Sequence, residues 1–188
     1  MGVGFCDNYR FLAKYNRWIN ERVLLASDLL GDEARKLDRG AFFGSIHRTL
    51  GHLLVADQIW LGRFATSGAA HGMRFTALEG GVLDLPDGCQ LDTVLFDDWT
   101  DIKAKRLVLD VAIENWVAEM PGYFPELTMR YSNSKGIERA HPAWQAMTHF
   151  FNHQTHHRGQ ATTLISQAGG DVGATDMIAL VERQTVRT

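Results

Sequence analysis

The chain has 188 residues, 45% of them hydrophobic and 22% charged, with a net charge of −3. That is long enough for one domain, spanning 1–188, with a substantial core. The mild acidity excludes the basic stripe of a nucleic-acid binder, and no apolar run approaches the ~20 residues that a membrane span needs.

The opening Met1-Gly2-Val3-Gly4-Phe5-Cys6 lacks the basic region and apolar core of a signal peptide, and Cys6 stands where a myristoylation motif wants Ser or Thr. The two cysteines, Cys6 and Cys89, form neither a CxxC nor a disulfide framework, so the expectation is a reduced, cytoplasmic protein.

From about residue 7 to 30, Phe11, Leu12, Tyr15, Trp18, Ile19, Leu25 and Leu29 recur at three- and four-residue steps, which predicts an amphipathic helix. Gly31-Asp32 ends it, and a polar connector, 33–40, follows. Ser45 is the N-cap candidate of a second helix running to about Phe64, apolar around most of its circumference and therefore buried. Residues 65–90 are rich in Gly and small residues and read as a long connection.

A third helix is expected from near Leu91, with Asp92 as cap, to about Met120. Its charges leave one face in solvent, and Pro121-Gly122 stops it. Around 127–140 the helical period breaks into alternation about a Ser-Asn-Ser-Lys-Gly centre, which predicts a short β-hairpin. The last long helix starts near His141-Pro142 and ends at Gly169-Gly170, and 176–183 forms a short tail helix. Four long helices with long connections describe an all-α four-helix bundle, whose metal sites form between facing helices.

The most informative stretch is in the last long helix. His149, His153, His156 and His157, half of the chain's eight histidines, fall within about three turns. His149/His153 and His153/His157 are both i,i+4 pairs whose rings leave one helix face, the way a helix supplies two ligands to one ion. Gln154 stands where a metalloprotease carries its Glu, so a protease's general base is missing. A catalytic site wants a third ligand. His71 lies in a Gly-Ala loop and His141 precedes Pro142, neither on a rigid element. His47 reads as solvent-facing beside Arg48. His52 shares its face with Val55, Ala56 and Ile59 and is the best candidate.

The blocks His52-Leu53-Leu54-Val55-Ala56-Asp57-Gln58-Ile59-Trp60-Leu61 and His149-Phe150-Phe151-Asn152-His153-Gln154-Thr155-His156-His157-Arg158-Gly159-Gln160, with Tyr9, Tyr15-Asn16-Arg17-Trp18 and the hairpin, resemble the DinB/YfiT-like family, named after damage-inducible members. The resemblance covers nearly the whole chain. It implies a four-helix bundle, often a homodimer, with a divalent metal on three histidines, here His52, His153 and His157. Some relatives use low-molecular-weight thiols in transferase or isomerase reactions, and others have no established activity.

Zinc or nickel suits three imidazoles. The expected function is a metal-dependent enzyme acting on a small molecule, by transfer of a small thiol or by hydrolysis. The alternative is a non-catalytic stress-response or binding protein with a structural metal. Around the ligands, Asp57 interrupts an apolar stripe and needs a buried partner, expected to be Arg158, with Arg17 as alternative. Gln160 is on the face of His153 and is expected to meet solvent or a bridging water. His149 and His156 are given supporting roles, such as holding a ligand imidazole in one tautomer. The five tryptophans, all in expected helices, read as core anchors.

Overall fold

The computed structural model describes residues 4–133 and 135–185, with side chains to Val181. It is 63% helical. Among the described residues there are six α-helices and one two-stranded hairpin. The four long helices are α1 (Phe5–Asp28), α3 (Ile46–Ala70), α4 (Trp99–Glu119) and α5 (Ala143–Gln167). The short helices are α2 (Asp32–Lys36), within the polar connector, and α6 (Met177–Thr185), at the expected tail. Strands β1 (Thr128–Ser132) and β2 (Glu138–Pro142) pair antiparallel with Tyr131 opposite Arg139, directly before α5.

In the bundle, α1 packs on α4 and α5, and α3 packs on the same two, so α1 and α3 lie diagonally. The helices that carry the histidines, α3 and α5, are therefore neighbours. They run antiparallel, since His52 meets His157 while Trp60, further along α3, meets His149, further back on α5. An aromatic core joins α3, α4 and α5. Phe64 stacks on Trp116 at 4.6 Å between centroids and meets Phe150 edge-on at 5.8 Å. All three are fully buried, each contributing on the order of 2–3 kcal/mol by removal from water.

Local chemistry explains the boundaries. Ser45 caps α3 by accepting from the Arg48 amide at 3.2 Å, and apolar residues with no breaker carry the helix past Phe64 to Ala70. That extension makes His71 the C-cap, its Nδ1 on the Ser67 carbonyl. The helix expected from Leu91 begins instead at Trp99, where Asp98, not Asp92, accepts from the Thr100 amide at 2.7 Å.

Residues 91–98 are withheld from the helix because their carbonyls serve α3. His52 Nδ1 bonds the Leu91 oxygen at 2.7 Å and His47 Nε2 bonds the Phe96 oxygen at 2.8 Å. His47 is thus 2% exposed rather than facing solvent. His141 likewise lies on β2, where its Nε2 accepts from the Tyr131 hydroxyl at 3.2 Å. Of the tryptophans, Trp99 and Trp116 are core residues, Trp144 is exposed, and Trp60 lies part-buried at the edge of a cleft.

Candidate metal centre

His52 from the second turn of α3 and His153 and His157 from the middle of α5 converge. His153 Nε2 lies 3.3 Å from His52 Nε2 and 3.1 Å from His157 Nε2. Among the described residues no fourth His, Cys, Asp or Glu joins the three, whose ligand atoms all lie within 4.8 Å of one another.

Three facing nitrogens at these separations fit one divalent ion. Zn–N bonds of about 2.0–2.1 Å in tetrahedral directions place neighbouring nitrogens roughly 3.3 Å apart. Protonation supports the same reading. His52 Nδ1 donates to the Leu91 carbonyl, and His157 Nδ1 donates to Gln160 Oε1 at 2.8 Å. Each ring's single neutral-state proton is thereby placed on Nδ1, and the Nε2 lone pairs point at one another. Both lone pairs face His153 Nε2, so the cluster offers two acceptor nitrogens, and with His153 neutral and deprotonated at Nε2 a third, to one ion.

Burial lowers the pKa of all three rings, and neighbouring histidines lower those of His153 and His157 further. The effect is largest at His153, pushed down to about 3 by burial first and then by His157 and His52. The cluster is therefore neutral near pH 7, the state in which imidazole coordinates metal.

Packing holds the rings in place. Phe43 stacks on His52 at 4.0 Å and meets His157 edge-on at 5.4 Å. Phe43 reaches them from a tight turn whose ends, Gly40 and Gly44, have φ of +73° and +78°, values that a side chain would strain. On the solvent side the cluster opens into a cleft of about 620 Å³ bordered by Phe42, Gln90, Asp92 and Gln160.

Gln160, His156 and His149, expected in supporting roles, all border the cluster. Gln160 contacts the ligand His157 directly, and its Nε2 donates to His156 Nε2 at 3.3 Å. His156 is exposed and packs on the His157 ring, so it reaches the ligand's tautomer only through Gln160. His149 is also exposed; its ring lies 5.7 Å from that of His153 and 5.0 Å from Trp60.

Asp57 is buried as expected, but neither expected partner reaches it. Its Oδ2 accepts from Arg106 of α4 at 2.5 Å and its Oδ1 from Gln154 at 2.9 Å. Arg158 instead donates to Asn16, Asn20 and Thr155, and Arg17 pairs with Glu21 and Glu114. Arg106 also meets Asp110 at 3.0 Å, and burial pushes the Asp110 carboxyl up to about 6 against the pull of Arg106. The Leu91 carbonyl and Arg106 are the functional groups that sequence reasoning missed. The one sits in a loop and the other was grouped with the solvated charges of its helix.

Comparison with protein-family models matches residues 6–187 to the DinB family. No curated protein and no solved structure matches the chain. On a match that covers nearly all of its length, together with the bundle and the three-histidine cluster that it folds to make, the chain belongs to the DinB family.

Proposed function

We propose that the protein is a metal-dependent enzyme in which His52, His153 and His157 hold one divalent ion, zinc or nickel, and which transfers a small thiol to an electrophilic substrate. One observation carries the reading. The three nitrogens share a centre whose remaining side faces a cleft, with no fourth ligating residue among those described. Structural zinc sites are usually closed by four protein ligands, whereas catalytic ones keep a position free. A divalent ion there supplies a Lewis acid that lowers the pKa of a coordinating thiol or water, which keeps hydrolysis as the neighbouring reaction class.

The chain's own residues do the rest. The Leu91 carbonyl and Gln160 fix the His52 and His157 rings through their Nδ1 protons. Phe43 packs on His52 at the wall of the cleft, and the cleft admits a molecule of the size of a small thiol conjugate.

The test is turnover by metal-loaded protein against a panel of small thiols paired with an electrophile. The reading expects metal-dependent thiol consumption that His153→Ala abolishes. No turnover across thiol and ester panels by fully loaded protein would leave the ion a structural role and overturn the enzymatic reading.

A further inference from the structure

A second cleft, of about 490 Å³, adjoins the first and shares His153, Gln90 and Leu91 with it. Its walls are aromatic, with Trp60 of α3 edge-on to Tyr131 of β1 at 5.4 Å and His149 of α5 at 5.0 Å from Trp60. Arg63 packs against both Trp60 and Tyr131, its guanidinium carbon 4.6 Å from the Trp60 ring centre and 4.7 Å from that of Tyr131.

Arg63 differs from the other arginines near the site. Arg106 meets two aspartates, and Arg158 is spent on Asn16, Asn20 and Thr155. Among the described residues no carboxylate pairs with Arg63, and no Asp or Glu lines its cleft. Its single protein hydrogen bond among the described residues goes from NH2 to the Ser132 carbonyl at 3.2 Å. Both rings lie to one side of the guanidinium, and among the described residues its Nε and NH1 have no protein hydrogen-bond acceptor. A guanidinium edge of this kind is a fork that matches the two oxygens of a carboxylate. In an acidic chain, a cation held against aromatic rings beside the histidine cluster, with no carboxylate partner among the described residues, has a free fork to offer a ligand.

We infer that this cleft is the substrate-binding site and that Arg63 anchors the carboxylate of an acidic small molecule whose apolar body lies along Trp60 and Tyr131. One positive charge and a planar fork favour a carboxylate over a dianionic phosphate, which would call for further cations. His52 and Arg63 are about three turns apart on α3, roughly 16 Å along its axis. Tyr131 keeps its orientation through its hydroxyl, which donates to His141 Nε2, while His141 Nδ1 faces the Pro142 carbonyl at 3.1 Å. The hairpin before α5 thus forms one wall of the site. The inference rests on the reading that the histidine cluster is where reaction occurs, and it names the class of substrate that reaches it.

Octanoate and its methyl ester, neither bearing a thiol, probe the anchor separately from the metal. In calorimetric titration of metal-loaded protein, octanoate is expected to bind roughly tenfold or more tightly than the ester, the effect of a charge-assisted pair. Arg63→Met, which keeps an apolar stem against the rings, is expected to remove that preference while ester binding and metal content stay unchanged. Arg63→Lys is expected to retain part of it. Equal binding of acid and ester, or a preference that survives Arg63→Met in protein that still binds the ester, would overturn the carboxylate site and leave the metal reading standing. Adding an ω-thiol to octanoate is expected to tighten binding in metal-loaded protein only. A carboxylate preference that depends on Arg63, with no gain from the thiol, would support the anchor and count against thiol activation.

Discussion

Gln160 does for His157 what the Leu91 carbonyl does for His52, fixing which nitrogen carries the proton and so which one faces the cluster. Outer partners of this kind commonly change metal affinity by about 10–100-fold when removed. Gln160→Leu is accordingly expected to weaken metal binding by roughly that factor without unfolding the protein, as measured by competition with a chromophoric chelator. An unchanged affinity would show that the hydrogen bond orients nothing. The clustering of His153 and His157 was legible in the sequence because an i,i+4 pair on a helix faces one point whatever the tertiary structure, whereas the choice of that pair over His149/His153, with His52 as third member, came with the family resemblance. Their hydrogen-bond partners were not equally so. Gln160 was visible three residues from His157 and was expected beside the ligands on solvent or a bridging water rather than on the ring itself, and a backbone carbonyl such as that of Leu91 leaves no residue-type signal at all.

Helix α5 alternates ligands with anchors. Gln154 follows His153 and ties α5 to Asp57 on α3, which Arg106 ties in turn to α4, while Arg158 follows His157 and binds α1 through Asn16. The buried polar layer thereby fixes the rotation of α5 about its axis, on which the aim of both histidines depends. Asp57 and Arg106 are 1% and 5% exposed. Removing one partner of such a pair strands the other, so Asp57→Ala is expected to cost about 3–5 kcal/mol in chemical denaturation. Arg17→Ala, whose ion pairs are largely exposed, is expected to cost under about 1 kcal/mol. Similar losses for the two would contradict this account of the layer. The need of Asp57 for a partner could be read from the apolar stripe around it, but the choice among arginines could not, because it is set by which helices lie side by side. The start of α4 was misplaced by the same kind of long-range effect, since two histidines of α3 claim carbonyls of the segment before it.

For the molecule as a whole, the bundle was the most legible feature, since periodicity, caps and breakers agreed along most of the chain, and the hairpin announced itself by a change of period. Acid response follows from how the fold treats its histidines. Burial lowers the pKa of His52, His149, His153 and His157. A histidine depressed in the folded state contributes stability above its unfolded value near 6.5, and that contribution is lost as pH falls toward the folded value, about 3 for His153. Asp110, raised to about 6, acts in the opposite direction between about 3.8 and 6, because there the folded state holds the extra proton. Four histidines oppose one carboxylate, so the metal-free protein is expected to lose denaturant stability on going from about pH 7 to about pH 5. Constant or rising stability over that interval would contradict it. Bound metal is expected to reduce the loss, because it favours the same neutral imidazoles.

All of this turns on whether the three nitrogens hold an ion. The direct measurement is the metal content of protein purified without a polyhistidine tag, after loading and exhaustive dialysis, for the wild type and for His153→Ala and His149→Ala. His153 lies within hydrogen-bond distance of both other ligands, whereas the His149 ring stands off to the side, against Trp60. The account predicts one divalent ion per chain in the wild type and in His149→Ala, and none in His153→Ala. Wild-type protein without metal, or His153→Ala with a full equivalent, would contradict it.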